Sequence, residues 1–269
     1  MSIEESSQQF RPVARQAWAD SWLEVVKGVG VWVSSVFLLL MVPTVVALPY
    51  LIYRIVAFGP PTPQALASDK MLIFYSILGV LPAHLLTLGI IWMIVTEAGR
   101  RPFWTTIGFE WPENMGALFS ILLSVIVGLV LFGLALGVTY LYGERKTDLD
   151  IIIESSLYTR ITTAFVAVAT APLVEELIYR GVLYRALEKA AGTGITIAIV
   201  ALLFAGVHVF QYRNNIAVIT VITLLSFTLT VVRAITGKVL PGFIIHLVFN
   251  GIQSVLIVLG GFVDKNIFK

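Results

Sequence analysis

The sequence predicts an all-α fold, a polytopic integral membrane helical bundle of about seven transmembrane helices. Three observations predict it. Of 269 residues, 58% are hydrophobic and 13% charged, where a soluble domain carries about 25% charge. The mean hydropathy is +0.92. Seven apolar stretches approach the length of about 20 residues that a helix needs to cross a hydrocarbon core of about 30 Å. So few polar side chains cannot cover a water-facing surface, which excludes a soluble globular protein and a disordered chain. With no cysteine, a disulfide scaffold, a thiolate metal site and a Cys nucleophile are excluded too. The net charge of +2 comes with no basic run, so no nucleic acid partner is expected and the lipid bilayer is the first partner.

Residues 1–27 open with the polar, acidic stretch MSIEESSQQF, which lacks the apolar core of a secretory signal. Trp18, Trp22, Val25 and Val26 then follow at i, i+4, i+7 and i+8. That spacing predicts an amphipathic amino-terminal segment lying in the headgroup layer. Residues 28–269 are predicted as a single membrane domain, because the connections are short and no internal repeat occurs. Its spans fall near residues 28–51, 71–96, 115–142, 161–184, 195–210, 216–232 and 239–262. They read as helices because lipid offers no partner to an open strand edge. The first connection, Gly59-Pro60-Pro61-Thr62-Pro63, is expected to be stiff and extended, and the third, 143–160, is the most charged. Gly128, Gly133 and Gly137 are expected to let helices approach closely. Trp18, Trp22, Trp104 and Trp111 are expected to anchor the interface. A slight Lys/Arg excess favours an inside amino terminus.

Function must lie in the polar groups that remain at bilayer depth, where an ionisable side chain costs roughly 2.5–3.5 kcal/mol on insertion scales. The fourth span contains Glu175, Glu176 and Arg180, the fifth His208, and the seventh His246 and Asn250; only three histidines exist in the chain. Glu175 precedes Lys189 by 14 residues and His208 follows Gly194 by 14. Both thus lie about 21 Å from the tip of one helical hairpin. His246 enters from the same side, about 12 Å past Lys238. A carboxylate and two imidazoles can therefore share one level. Glu176 and Arg180 share a face at i, i+4 and are expected to form an ion pair, which leaves Glu175, about 100° away, free for chemistry. His246 and Asn250 present an imidazole and an amide together.

Glu-Glu-x-x-x-Arg at 175–180, Phe-x-x-x-His at 204–208 and His-x-x-x-Asn at 246–250 follow one another on hydrophobic segments. In this they resemble the CPBP (Abi) family of intramembrane proteases. That family contains the type II CAAX prenyl endopeptidases and bacterial bacteriocin-processing or immunity proteins. The similarity covers a protease-like core at about residues 116–262. The resemblance implies an endopeptidase acting on a peptide or protein substrate that carries a membrane anchor, prenylated in one case. It implies that Glu175, helped by His208, deprotonates a water while His246 and Asn250 stabilise the oxyanion. Glu176–Arg180 would orient the site; a substrate carboxylate on Arg180 is the alternative.

No cofactor is required by that mechanism. Zinc held by Glu175, His208 and His246, with Glu176 as base, is the metal-dependent alternative, although the His-Glu-x-x-His signature is absent. There is no Gly-x-Ser-x-Gly elbow and no Gly-Asp pair of the intramembrane aspartyl type. Two other classes stay open: a non-catalytic scaffold or immunity protein of the same family, and a proton-coupled carrier, for which no inverted repeat is visible. His84 fits no motif and is expected to be structural, and Phe204 to be packing. The expected location is a plasma or bacterial inner membrane, with the site opening to the cytoplasmic side.

Overall fold

The computed structural model describes residues 11–142, 147–212 and 215–267, with side chains described from Trp22 to Gly260 apart from residues 148, 210 and 211. Every described element is helical. The first, α1 (Arg11–Phe58), runs unbroken through residue 28 and holds Pro43 and Pro49 inside it. Of the expected amphipathic face, Trp22 and Val26 are exposed while Val25 is buried; Trp18 lies outside the described side chains. The Pro-rich connection is shorter than its sequence suggests. Thr62 accepts the N–H of Ala65 and Pro63 starts α2 (Pro63–Ala67), as a proline without an N–H can do in a first turn.

Asp69 caps α3 (Lys70–Leu78) by accepting the N–H groups of Met71 and Leu72. Gly79 joins α3 to α4 (Val80–Val95); a Cβ there would come within 2.5 Å of the Pro43 Cα, so only glycine lets this turn lie against α1. After α5 (Phe103–Ile107) and α6 (Ala117–Tyr142), a reciprocal Thr147–Asp150 capping box opens α7 (Asp148–Ser155). The fourth predicted span is one long helical run of unequal winding. It comprises α8 (Leu157–Phe165), a wide π turn Val166–Thr170, α9 (Ala171–Glu176), a second wide turn Leu177–Leu183, and α10 (Tyr184–Ala191). Then follow α11 (Thr193–Tyr212), α12 (Ile216–Thr236) and α13 (Leu240–Ile267).

Among the described residues, six runs are long and apolar enough to cross a membrane, and the fifth predicted span is a shorter apolar helix, Thr193–Val209. The protein is a multi-pass membrane protein of the predicted class. Two apolar clusters hold the bundle. One joins α1, α4, α5 and α11 to the fourth span through Val31, Ile91, Ile107, Leu177, Leu183 and Phe204. The other joins α6, α12 and α13 through Leu131, Leu225, Leu229, Ile245 and Phe249. Gly128 belongs to the second contact, since a Cβ there would lie 2.9 Å from Val248 Cβ. Gly133 and Gly137 have open space instead, so the close approach expected of all three glycines occurs at Gly128 alone. The fourth span belongs to the first cluster, and its Arg180 reaches Ser226 and Thr230 on α12.

Candidate active site

Glu176 and Arg180 are one helical turn apart and both fully buried, with Nη1 2.9 Å from Oε1. A charge taken out of water is tolerated only when paired and hydrogen-bonded. Arg180 Nη2 accordingly donates to the Ser226 carbonyl, to Ser226 Oγ and to Thr230 Oγ1 on α12. The guanidinium also lies over the Phe204 ring at 4.9 Å, a cation–π contact. Arg233 completes the arrangement by donating Nε–H to the Arg180 carbonyl. Arg180 thus has no exposed face for a substrate carboxylate. Gly242 lets α13 close on this pair, because a Cβ there would stand 3.1 Å from Glu176 Oε2.

His246, from α13, is 2% exposed and reaches both carboxylates: Nδ1 is 3.2 Å from Glu176 Oε1 and Nε2 is 3.7 Å from Glu175 Oε2. With the Glu176 carboxylate as acceptor, Nδ1 carries the proton and the ring is fixed with Nε2 toward Glu175. The Glu175 side chain keeps 22% of its surface exposed, against none for Glu176. Consecutive residues on one helix point about 100° apart, so one carboxylate is sealed among protein groups and the other is open.

His208 and Asn250 are placed differently. His208 Nδ1 lies 2.8 Å from the Phe204 carbonyl one turn earlier, which leaves Nε2 as the outward nitrogen. The Phe204 ring stands 4.8 Å from the His208 ring and 6.0 Å from that of His246. The aromatic residue expected to be packing therefore lies against both imidazoles. Asn250 donates from Nδ2 to the Ala167 carbonyl at 3.0 Å. The reason is local. In the wide turn, Ala171 N–H bonds back to the Val166 carbonyl; the next rung would run from residue 172 to Ala167, and Pro172 has no N–H. Asn250 supplies the missing donor.

Among the described residues, no three His, Asp or Glu side chains stand together as a group that could hold a metal ion. Glu175 and His246 are near one another, but together with His208 they do not form the set named as the zinc alternative.

His84 was expected to be structural and unconnected to the site. It is 4% exposed, and its Nδ1 lies 2.8 Å from Thr170 Oγ1 at the end of the first wide turn. Tyr179, one turn after Glu175, receives the Trp32 indole N–H at 3.1 Å and packs on Phe204. The signal for His84 was available: an imidazole in an apolar span carries the same insertion cost that singled out the others.

Fold and site together define a multi-pass membrane protein with a partly open carboxylate–imidazole centre. Residues 157–252 match the family model described as type II CAAX prenyl endopeptidase Rce1-like; the matched stretch runs from the start of α8 into α13 and contains Glu175, Glu176, Arg180, His208, His246 and Asn250. No curated protein and no solved structure matches the chain.

Proposed function

We propose that the protein is an intramembrane endopeptidase that hydrolyses a peptide bond in a membrane-anchored, prenylated substrate. The observation that carries this reading is the division between neighbouring carboxylates: Glu176 is closed off by Arg180 and His246, while Glu175 stays open beside His246 Nε2. Glu175 takes a proton from a water, and His208 Nε2 helps to hold that water. The hydroxide attacks the scissile carbonyl, and the proton passes on to the leaving amine. On its way the transferred proton is taken up by His246 Nε2, oriented by Glu176, which then donates toward the developing oxyanion beside the second amide hydrogen of Asn250, where the apolar surroundings strengthen each hydrogen bond. No step runs through a metal, because the residues present do not form a three-ligand set. The Lys/Arg excess at the amino-terminal side puts that side, with the α10–α11 hairpin, in the cytoplasm. The bundle from residue 28 onward acts as one membrane domain.

The test is product mass spectrometry. Wild type and Glu175→Ala, reconstituted in lipid nanodiscs, are given a farnesylated protein with a tetrapeptide tail and the same protein without the lipid. Wild type releases the tail from the farnesylated form and Glu175→Ala releases none. Identical product profiles from the two enzymes would overturn the assignment.

A further inference from the structure

We infer that His84, on α4, is a positioning residue for Glu175. Through Thr170 it fixes the wide turn that sets the rotation of the helix carrying the open carboxylate. This inference rests on the reading of Glu175 as the base. It does not follow from the family resemblance, because His84 lies outside the matched residues 157–252.

A π turn holds one residue more than an α turn and is rare, occurring mostly as a single turn inserted into an α-helix. Such a turn persists when outside groups hold it. Here two of them do. Asn250 reaches in from α13 to the Ala167 carbonyl at the turn's start, and His84 reaches in from α4 to the Thr170 hydroxyl at its end. Thr170 is also where the backbone leaves helical geometry, with φ −121° and ψ −43°, just before Pro172 and α9. Its hydroxyl lies 3.3 Å from the Val166 carbonyl, the same oxygen that takes the Ala171 N–H. The hydroxyl is thus a junction between the imidazole and the turn.

Glu175 comes five residues after Thr170, about 7.5 Å along the axis. If the turn relaxed to ordinary α winding, one residue would be taken up and everything beyond it would rotate by about 100°. That rotation would swing Glu175 away from His246 Nε2, while the Glu176–Arg180 pair moves with the same helix. His84 is buried, and its Nδ1 bond goes to Thr170. It acts on Glu175 through that bond and not on substrate.

The experiment uses the full chain in nanodiscs with His84→Ala, His84→Asn, Thr170→Val, Thr170→Ser and the double variant His84→Ala/Thr170→Val. Two readouts are taken: kcat and KM for tail release, and hydrogen exchange of the amides from 166 to 176. His84→Ala and Thr170→Val each lower kcat by about 100-fold, the scale of a misplaced catalytic group, with KM little changed, and both speed exchange in the turn. His84→Asn keeps a side-chain N–H for Thr170, and Thr170→Ser keeps the hydroxyl; both retain slow exchange and most of kcat. The double variant is no worse than the poorer single, because both remove the same bond. Wild-type kcat and exchange in His84→Ala would overturn the inference. So would multiplied losses in the double variant, or a dead His84→Asn with wild-type exchange, which would make the imidazole itself chemical. A wild type that cleaves nothing sinks the endopeptidase reading instead, and the exchange data alone then decide whether His84 holds the turn.

Discussion

The His246 imidazole stands between two consecutive carboxylates, with Nδ1 3.2 Å from Glu176 and Nε2 3.7 Å from Glu175. One side of the ring is anchored in a buried charge network and the other faces the acid whose side chain keeps 22% of its surface exposed. Glu176 is held in the ion pair expected from its i, i+4 spacing with Arg180, while Glu175 is left partly exposed.

Glu176 and Arg180 are each tolerated in the interior because the other is there. Arg180→Met strands a buried carboxylate and is expected to cost about 3–5 kcal/mol, whereas Glu176→Gln combined with Arg180→Met removes both charges and recovers most of that loss. Denaturation of the single and double variants in detergent checks this. A double variant that loses the sum of the singles would contradict it.

Asn250 and Pro172 are coupled through one carbonyl. Asn250→Ala leaves the Ala167 oxygen unpaired and is expected to cost about 1–3 kcal/mol. In a Pro172→Ala background the restored N–H takes over, so the same Asn250→Ala change costs less. A four-membered thermodynamic cycle on thermal unfolding reads the coupling directly, and equal costs in both backgrounds refute it.

Gly181 sits against Ile107. A Cβ at 181 would lie 2.6 Å from Ile107 Cγ1 and 2.9 Å from Cδ1, with Ile107 itself 2% exposed. Gly181→Ala is expected to destabilise by about 1–3 kcal/mol through overpacking. Ile107→Ala makes room, so the double variant is more stable than the two single losses predict. Melting curves of the three variants decide.

Asp69 makes stability fall in acid. Burial pushes its carboxyl up, but the N–H groups of Leu72 and Met71, the Tyr50 hydroxyl and Arg54 outweigh this and hold it below the ordinary 3.8. A carboxylate with a depressed folded pKa stabilises above its unfolded value of about 3.9 and loses that contribution as pH drops through the folded one. The stability gap between wild type and Asp69→Asn is expected to be constant near neutrality and to close below about pH 4. A gap that is unchanged at pH 3 contradicts this.

Much of the architecture was legible because lipid imposes simple demands. Apolar runs had to be helices, and the Glu176–Arg180 pair followed from i, i+4 spacing. The short fifth span was also readable, although by length it falls below the six clear crossings. The wide turns at Val166–Thr170 and Leu177–Leu183 were not legible. The first meets side chains from α4 and α13 and the second meets Arg233 from α12, contacts that no local pattern reveals. For the same reason the bond from Asn250 to the carbonyl that Pro172 leaves free was not foreseen. His84 was passed over because it stands in no motif, and its partner, Thr170, lies 86 residues away.

In the proposed mechanism Glu175 carries the chemistry and Glu176 the structure. Measuring kcat and thermal midpoint together for Glu175→Gln and Glu176→Gln tests it most directly. The account predicts that Glu175→Gln loses turnover by about 10²–10⁴-fold, as for a missing general base, with its melting unchanged, and that Glu176→Gln loses stability first. A folded Glu175→Gln variant that still cleaves at the wild-type rate would contradict it.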